Sequence, residues 1–225
     1  MSDSREPAVL FDIDGTLVDS NYLHVHAWAC AFSDAGIAAD AWHIHRSIGM
    51  DGSTLVDTLS GDADEDAKQQ AKDLHSRYYK DLAGLLRVLP GAQQLLEHVS
   101  SMGLQAVLAT SAPEDELSIL RDVLNRDDVV SAMTSDSDVE TAKPAPDIVE
   151  VALRRAGVTA ERAVFVGDSV WDAKASGRAG VPCIGVLSGG ICRAKLMEAG
   201  TRAVYRDAGD LDEHIDDTPI ADLIR

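Results

Sequence analysis

The chain has 225 residues, 45% of them hydrophobic, enough for one medium domain or one domain carrying an insertion. Twenty basic residues stand against 38 acidic ones, a formal charge of −18, which argues against nucleic acid or an anionic membrane as a partner. A local metal ion and a single lysine can override that field at one site, so an anionic small molecule stays open as a ligand. Cys30, Cys183 and Cys192 are far apart and form no CxxC pair, which points to a reducing compartment. The polar start, residues 1 to 6, lacks the apolar stretch of a signal peptide, and no apolar run approaches about 18 residues. The expectation is a soluble, cytoplasmic monomer or homodimer with no membrane partner.

In chain order, Ala8-Val9-Leu10-Phe11 is a short apolar run of the kind that makes a buried strand. Asp12 and Asp14 follow, and Gly15 breaks the strand. Asp19 or Ser20 can cap a mostly apolar helix over residues 21 to 35 that ends at Gly36. Helical stretches are expected near 40 to 48 and 54 to 59, separated by the glycine-flanked loop 47 to 54. The acidic turn 61 to 66 leads into a long polar helix through Tyr79. Nothing from 18 to 88 reads as a strand. Leu89-Pro90-Gly91 punctuates the end of that block.

An α/β rhythm follows. A helix is expected over 92 to 101, and a strand over 105 to 109 ends at Thr110-Ser111. A helix runs from Pro113 to about Leu124, and 129 to 132 is a weak strand. The rigid loop Lys143-Pro144-Ala145-Pro146 enters a helix at 147 to 156, and a strand over 163 to 166 ends at Gly167-Asp168-Ser169. A helix over 170 to 179, a strand over 183 to 186, a helix over 191 to 199 and a short strand over 203 to 205 complete the pattern. The carboxylate-rich tail from 207 reads as a solvated helix and end. Strands alternating with helices imply an α/β fold, a doubly wound parallel sheet with helices on both faces. The segment 18 to 88 is too long for a simple crossover and reads as an inserted all-helical cap domain, leaving 1 to 17 and 89 to 225 as the α/β core.

Four places then supply polar groups to the carboxyl end of one sheet, where such folds bind ligands. They are Asp12 with Asp14, Thr110 with Ser111, Lys143, and Asp168 with Asp172 one helical turn later. Asp12 and Asp14 share one side of an extended strand. Two anions this close need a cation or a shared proton. Each group alone has a structural reading: a helix cap, a strand-end cap, a solvated lysine. Their joint order does not.

The order and spacing resemble the haloacid dehalogenase superfamily of phosphotransferases, through DIDGT at 12 to 16, LATS at 108 to 111, KPAP at 143 to 146 and GDSVWD at 167 to 172. ASGRAGVP at 175 to 182 is similar to the family's continuation, and the helical block to its C1-type cap. The nearest subgroup by pattern is that of phosphoglycolate phosphatase and β-phosphoglucomutase. The resemblance implies a Mg²⁺-dependent phosphatase acting on a small phosphorylated metabolite through an aspartyl-phosphate on Asp12. Asp14 would be the general acid and base. Asp12 and Asp168 would hold Mg²⁺ by their side chains, Asp14 by its carbonyl, and Asp172 directly or through water. Lys143 would neutralise Asp12 and the phosphate, while Thr110 and Ser111 would donate hydrogen bonds to it. The dehalogenase branch lacks the second aspartate and needs no metal, so Asp14 argues against dehalogenation.

The same resemblance places His24 where mutases have a cap-hinge histidine, and Gly49 and Asp51 in the substrate-specificity loop. The mutase arginine that reads a distal phosphate falls at Gly52 when Gly49 is aligned, and Arg46 would need another register. With Asp51 in place of a cation, that loop suits a substrate whose far end is neutral, hydroxylated or cationic. A hexose-phosphate isomerase of the β-phosphoglucomutase type and a non-catalytic phosphate-binding module are the alternatives.

Overall fold

The computed structural model describes residues 5–138 and 143–225; the start of the polar leader, residues 1–4, lies outside them. Six parallel strands form one sheet: β1 (Ala8–Phe11), β4 (Gln105–Leu108), β5 (Val130–Met133), β6 (Ala163–Gly167), β7 (Cys183–Val186) and β8 (Ala203–Tyr205). Their order across the sheet is β5-β4-β1-β6-β7-β8. The α/β doubly wound expectation holds. β1 sits between β4 and β6, so successive crossovers leave it on opposite sides. This is the switch point at which such sheets open a crevice.

Period two sorts the core. Val9 and Phe11 face one layer with Leu95, Leu96, Leu117 and Leu120, from α5 (Ala92–Ser101) and α6 (Glu114–Leu124). Ala8 and Leu10 face the other layer with Ile148, Val149 and Ala152 of α7 (Asp147–Ala156), and Ala173 of α8 (Val170–Arg178). Both faces of β1 are fully buried, which is why its four residues are a continuous apolar run rather than an alternating one. Each large side chain buried this way contributes roughly 1.5–3 kcal/mol.

Between β1 and α5 stand four helices: α1 (Asn21–Asp34), α2 (Ala41–Ser47), α3 (Gly52–Leu59) and α4 (Glu65–Asp81). They have a core of their own, in which Trp28, Phe32, Ile44, Leu55, Val56 and Ala71 are buried. One expectation fails here. The block is not free of strands, because β2 (Val18–Asp19) and β3 (Arg87–Val88) pair antiparallel, Val18 opposite Val88 and Asp19 opposite Arg87. Two residues per strand are too few to show a period. The ribbon is nonetheless what ties the two crossings of the chain side by side.

The tail is a second correction. α9 (Arg193–Ala199) precedes β8, and α10 (Ala208–Glu213) and α11 (Pro219–Asp222) follow it. Leu211, Ile215 and Ile220 enter the same core layer as α5. The polar residues that made this segment read as solvated partly serve as caps. Asp207 accepts from Asp210 N and Thr218 from Ile220 N, which frees the apolar residues between them to pack inward. Among the described residues no helix is long and apolar enough to cross a membrane.

Candidate active site

The register of β1 builds the site. Phe11 lies opposite Leu108 on one side and Val166 on the other. Asp12 N then donates to Val166 O at 3.0 Å, and Ala109 N to Phe11 O at 2.7 Å. Asp12 is the next residue of β1, and Thr110 and Asp168 follow one residue beyond their counterparts Ala109 and Gly167, so the three leave adjacent strands within one residue of the same level. Gly15 turns the chain back with φ +73°, closed by its N–H to Val18 O at 2.8 Å. A Cβ there would also fall 2.3 Å from Asn21 Nδ2, so the turn leaves no room for a side chain.

Asp12, Asp14, His24, Gly49, Asp51, Thr110, Ser111, Lys143 and Asp168 all line one cavity of about 340 Å³ between core and cap. Asp172 does not line it. It sits behind, in a capping box with Ser169, its Oδ2 accepting from Ser169 N at 3.0 Å and from Ser169 Oγ at 2.6 Å. Lys143 joins the two layers. It is 2% exposed, and its Nζ lies 2.6 Å from Asp12 Oδ1 and 2.7 Å from Asp172 Oδ1.

One ammonium does not balance the carboxylates around it. Burial raises Asp12 well above the usual aspartate range; Lys143 opposes this, and the charges of Asp172, Asp168 and Asp14 add to it. Burial and then Asp172 push Asp168 up to about 7. Burial would lower Lys143, but Asp12 and Asp172 together raise it above the ordinary lysine value. Oxygens of Asp12, Asp168 and Asp172 lie within 4.8 Å of one another, all three residues buried. A set of hard oxygen donors with surplus negative charge fits a magnesium ion. Thr16 Oγ1 at 3.3 Å and Asn21 Nδ2 at 2.8 Å hold the two oxygens of Asp168 in place.

Asp14 is turned away from that cluster. Its Oδ1 accepts from Ser20 Oγ at 2.5 Å and lies 3.4 Å from His24 Nε2. Burial would raise Asp14, but the His24 hydrogen bond and charge and the Ser20 hydroxyl bring it below the ordinary value. Burial likewise opposes the rise of His24, which the Asp14 hydrogen bond and charge produce. His24 Nδ1 is 3.1 Å from His75 Nε2, and burial and then the His24 charge hold His75 well below the usual range. Ser20 is the residue before α1 but makes no side-chain cap; its hydroxyl goes to Asp14 instead.

Thr110 Oγ1 accepts from Ala112 N at 3.0 Å, and its carbonyl accepts from Thr134 Oγ1 at 2.9 Å, which fixes the loop that carries Ser111. Gly49, at φ +94°, brings the cap loop onto the core; a Cβ there would lie 2.8 Å from Ser169 Oγ. Asp51 is the N-cap of α3, Oδ1 accepting from Ser53 N at 2.9 Å and Thr54 N at 3.1 Å. Its Oδ2 is buried with no hydrogen-bond partner among the described residues. That cap starts the helix at Gly52, earlier than residue 54. Arg46 does not line the cavity; its guanidinium lies over the Trp42 ring. A cap cation is present all the same, because Lys72 of α4 lines the wall.

Sequence reasoning missed Thr16, Ser20, Asn21, Lys72, His75 and Glu116. The signal in reach was the run Ser20-Asn21, small polar residues just after DIDGT, read only as helix punctuation.

Fold and cavity together are those of an α/β protein with a ligand site at the carboxyl edge of its sheet, roofed by helices inserted after β1. The haloacid dehalogenase-like hydrolase family model matches residues 9–186. A phosphoglycolate phosphatase from Rhodospirillum rubrum is 29% identical over 214 residues, covering 91% of this chain and 88% of that protein. One from Yersinia pestis is 31% identical over 187 residues, covering 80% and 81%. The crystal structure of a hydrolase from Pseudomonas syringae superposes with a TM-score of 0.90 at 33% identity, covering 94% of this chain and 99% of that one. A putative β-phosphoglucomutase from Bacteroides vulgatus shares the fold, with a TM-score of 0.87 at 21% identity over 98% of this chain and 91% of that one. The chain belongs to the haloacid dehalogenase-like hydrolase family. Within it, the chain stands with the phosphatases of the phosphoglycolate phosphatase-like subgroup.

Proposed function

We propose that the chain is a Mg²⁺-dependent phosphatase that hydrolyses a small phosphorylated metabolite through an aspartyl-phosphate on Asp12. The observation that supports it best is the pair formed by Asp12 and Lys143 at 2.6 Å, on the floor of a cavity also lined by Thr110 and Ser111. Asp12, Asp168 and Asp172 would hold the ion, with Asp14 contributing its carbonyl. Bound there, the ion supplies charge neutralisation and a fixed template for the phosphoryl oxygens.

Lys143 opposes the rise of Asp12 and so favours the ionised, nucleophilic form, and its ammonium offsets the charge that the phosphoryl group brings. Thr110 and Ser111 donate to phosphoryl oxygens and align the ester with Asp12. Asp14, held ionised by His24 and Ser20, takes the proton of the attacking water in the second half-reaction. In the first, the leaving oxygen receives a proton through Asp14 from the protonated His24 paired with it. The chain divides into a core, 1–17 and 89–225, and a cap, 18–88, which swings on the β2–β3 ribbon near residues 17–20 and 87–91 and excludes water on closing. Phosphoglycolate, named for the curated relatives, is the reference ester against which other substrates are compared.

The test is phosphate release from a panel of phosphorylated metabolites with Mg²⁺. Asp12→Asn should abolish turnover with the fold intact, and EDTA should abolish it in the wild type. Turnover surviving both would overturn the reading. Lys72 on the cap wall favours a second reading, a mutase that grips a distal phosphate, which the Discussion puts to test.

A further inference from the structure

Of the charged side chains on the cavity wall with no part in the chemistry above, Glu116 is the most buried. Glu116 stands on the first turn of α6, shortly after Thr110 and Ser111, and is 4% exposed. It lines the cavity together with those two residues, His24 and His75. Its backbone N–H donates to Asp115 Oδ1 at 2.9 Å. Its carboxylate has no hydrogen bond and no ion pair with any described residue. Burial pushes its pKa up to about 7; His24 and Lys80 oppose the rise, and Asp14 and Asp115 add to it.

A carboxylate turned from bulk water into a cavity, with no partner among the described residues, carries a desolvation cost, and the fold does not ask for one here. The helix-dipole benefit of an acidic first turn is already served by the exposed Glu114 and Asp115. The apolar face of α6, Leu117, Leu120 and Leu124, packs into the core without it. The same cavity shows an enclosed acceptor without a partner among the described residues, Asp51 Oδ2. Away from the phosphate-binding floor, its wall carries Glu116, Asp51 and Asp136 against a single ammonium, that of Lys72.

We propose that Glu116 is a specificity-determining residue that receives the non-phosphate end of the substrate, and that the site selects phosphomonoesters whose far end carries a hydrogen-bond donor, an ammonium or a hydroxyl. This rests on the phosphatase reading and narrows it. A donor placed against Glu116 satisfies a group the protein leaves unsatisfied. A carboxylate in that place meets a second anion in a partly enclosed cavity, with His24 and Lys72 the cationic groups available to offset the pair.

The test uses four two-carbon esters that share one phosphate: 2-aminoethyl phosphate, 2-hydroxyethyl phosphate, ethyl phosphate and phosphoglycolate. kcat/KM is measured with Mg²⁺ at pH 8, alongside p-nitrophenyl phosphate. In the wild type the two donor-ended esters should exceed ethyl phosphate and phosphoglycolate by roughly tenfold or more, the worth of one hydrogen bond to a charged group. In Glu116→Gln the ratio of 2-aminoethyl phosphate to phosphoglycolate should fall by at least about tenfold, carried by KM more than by kcat. Ratios within each variant cancel any general loss of activity. Should Glu116→Gln not fold, the wild-type order decides alone. A wild type that handles phosphoglycolate as well as the donor-ended esters, or a ratio unchanged by Glu116→Gln, overturns the proposal. If p-nitrophenyl phosphate is hydrolysed but none of the four esters is, the phosphatase reading stands and this one falls. If no ester is hydrolysed at all, both fall.

Discussion

Lys143→Met is the substitution on which the electrostatics of the site bear most directly. The ammonium lies 2.6 Å from Asp12 and 2.7 Å from Asp172 and is 2% exposed, so no solvent replaces it. Removing one partner of a buried ion pair costs about 3–5 kcal/mol, because an uncompensated charge is left behind. That is a large part of the 5–15 kcal/mol of a typical domain. The loss depends on pH, and the sign follows from the carboxylates. Asp12 is raised in the folded state even with Lys143 beside it. Without the lysine it rises further. An acid whose folded pKa lies above its unfolded value is best tolerated while protonated, and stability is lost as pH climbs from the unfolded value, 3.8, through the folded one. Lys143 itself, raised above 10.5, contributes a constant amount throughout the neutral range. The deficit of Lys143→Met should therefore be smallest near pH 4.5 and widen as pH rises through the folded value of Asp12. Magnesium should stabilise both proteins, each by about 2.7 kcal/mol at a hundredfold excess over its own Kd, and should narrow the gap at a fixed concentration because losing the competing ammonium tightens binding to the variant. Urea melts of both proteins across that range, in EDTA and then in Mg²⁺, measure all three quantities. A deficit independent of pH, or one that magnesium leaves untouched, would refute the account of three mutually repelling carboxylates held by one cation.

Three further outcomes follow from the same geometry. Asn21→Ala removes the amide that holds Asp168 Oδ2 at 2.8 Å, and calorimetric titration should show Mg²⁺ affinity falling by about 10–100-fold. Glu116→Gln should flatten one limb of the wild-type stability profile in EDTA. With Glu116 raised from 4.5 to about 7, wild-type stability declines as pH rises through that window, and the glutamine variant should gain on it by up to about 3 kcal/mol at pH 8; parallel profiles would refute this. β-Glucose 1-phosphate with catalytic glucose 1,6-bisphosphate and Mg²⁺ should yield inorganic phosphate slowly and little glucose 6-phosphate, whereas efficient conversion to glucose 6-phosphate would mean that Lys72 grips the distal phosphate.

What was legible in the chain was whatever a few adjacent residues decide. Asp12, Thr110 and Asp168 stand at the ends of short apolar runs, so finding the strands also found the site. Asp172 follows at capping-box spacing from Ser169, and Lys143 at a proline-flanked loop. Roles set by how one element docks on another were not legible. Asn21 begins a helix, yet its side chain turns out of that helix to Asp168 and Gly189 O. Glu116 belongs to an acidic first turn, and nothing local says that it faces inward while Glu114 and Asp115 face water. Asp51 read as a bare loop charge, but one of its oxygens starts a helix. The tail hid its apolar residues among carboxylates. The β2–β3 ribbon is shorter than any period.

The placement of those docked residues bears on how the cap can move. Ser20 and Asn21 lie at the junction of β2 and α1, and His24 on the first turn of α1. Ser20 and His24 reach Asp14, while Asn21 reaches Asp168. Asn21 and His45 of the cap both reach the Gly189 carbonyl of the core, at 3.3 Å and 3.0 Å. Trp171 Nε1 donates back to Arg46 O at 3.2 Å, beside the place where Gly49 meets Ser169. A rotation of α1 about the ribbon that lengthens these contacts by an ångström takes most of them out of hydrogen-bonding range. Asp14 would then lose the donors that keep it ionised, and Asp168 one of the two groups that orient it. The carboxylates proposed as acid–base group and ion ligand, Asp14 and Asp168, are thus held by side chains from the same helix end. If residues 18–88 move as the proposed cap, an open position would leave both unset and a closed one would set both together, as the cavity is shut to water.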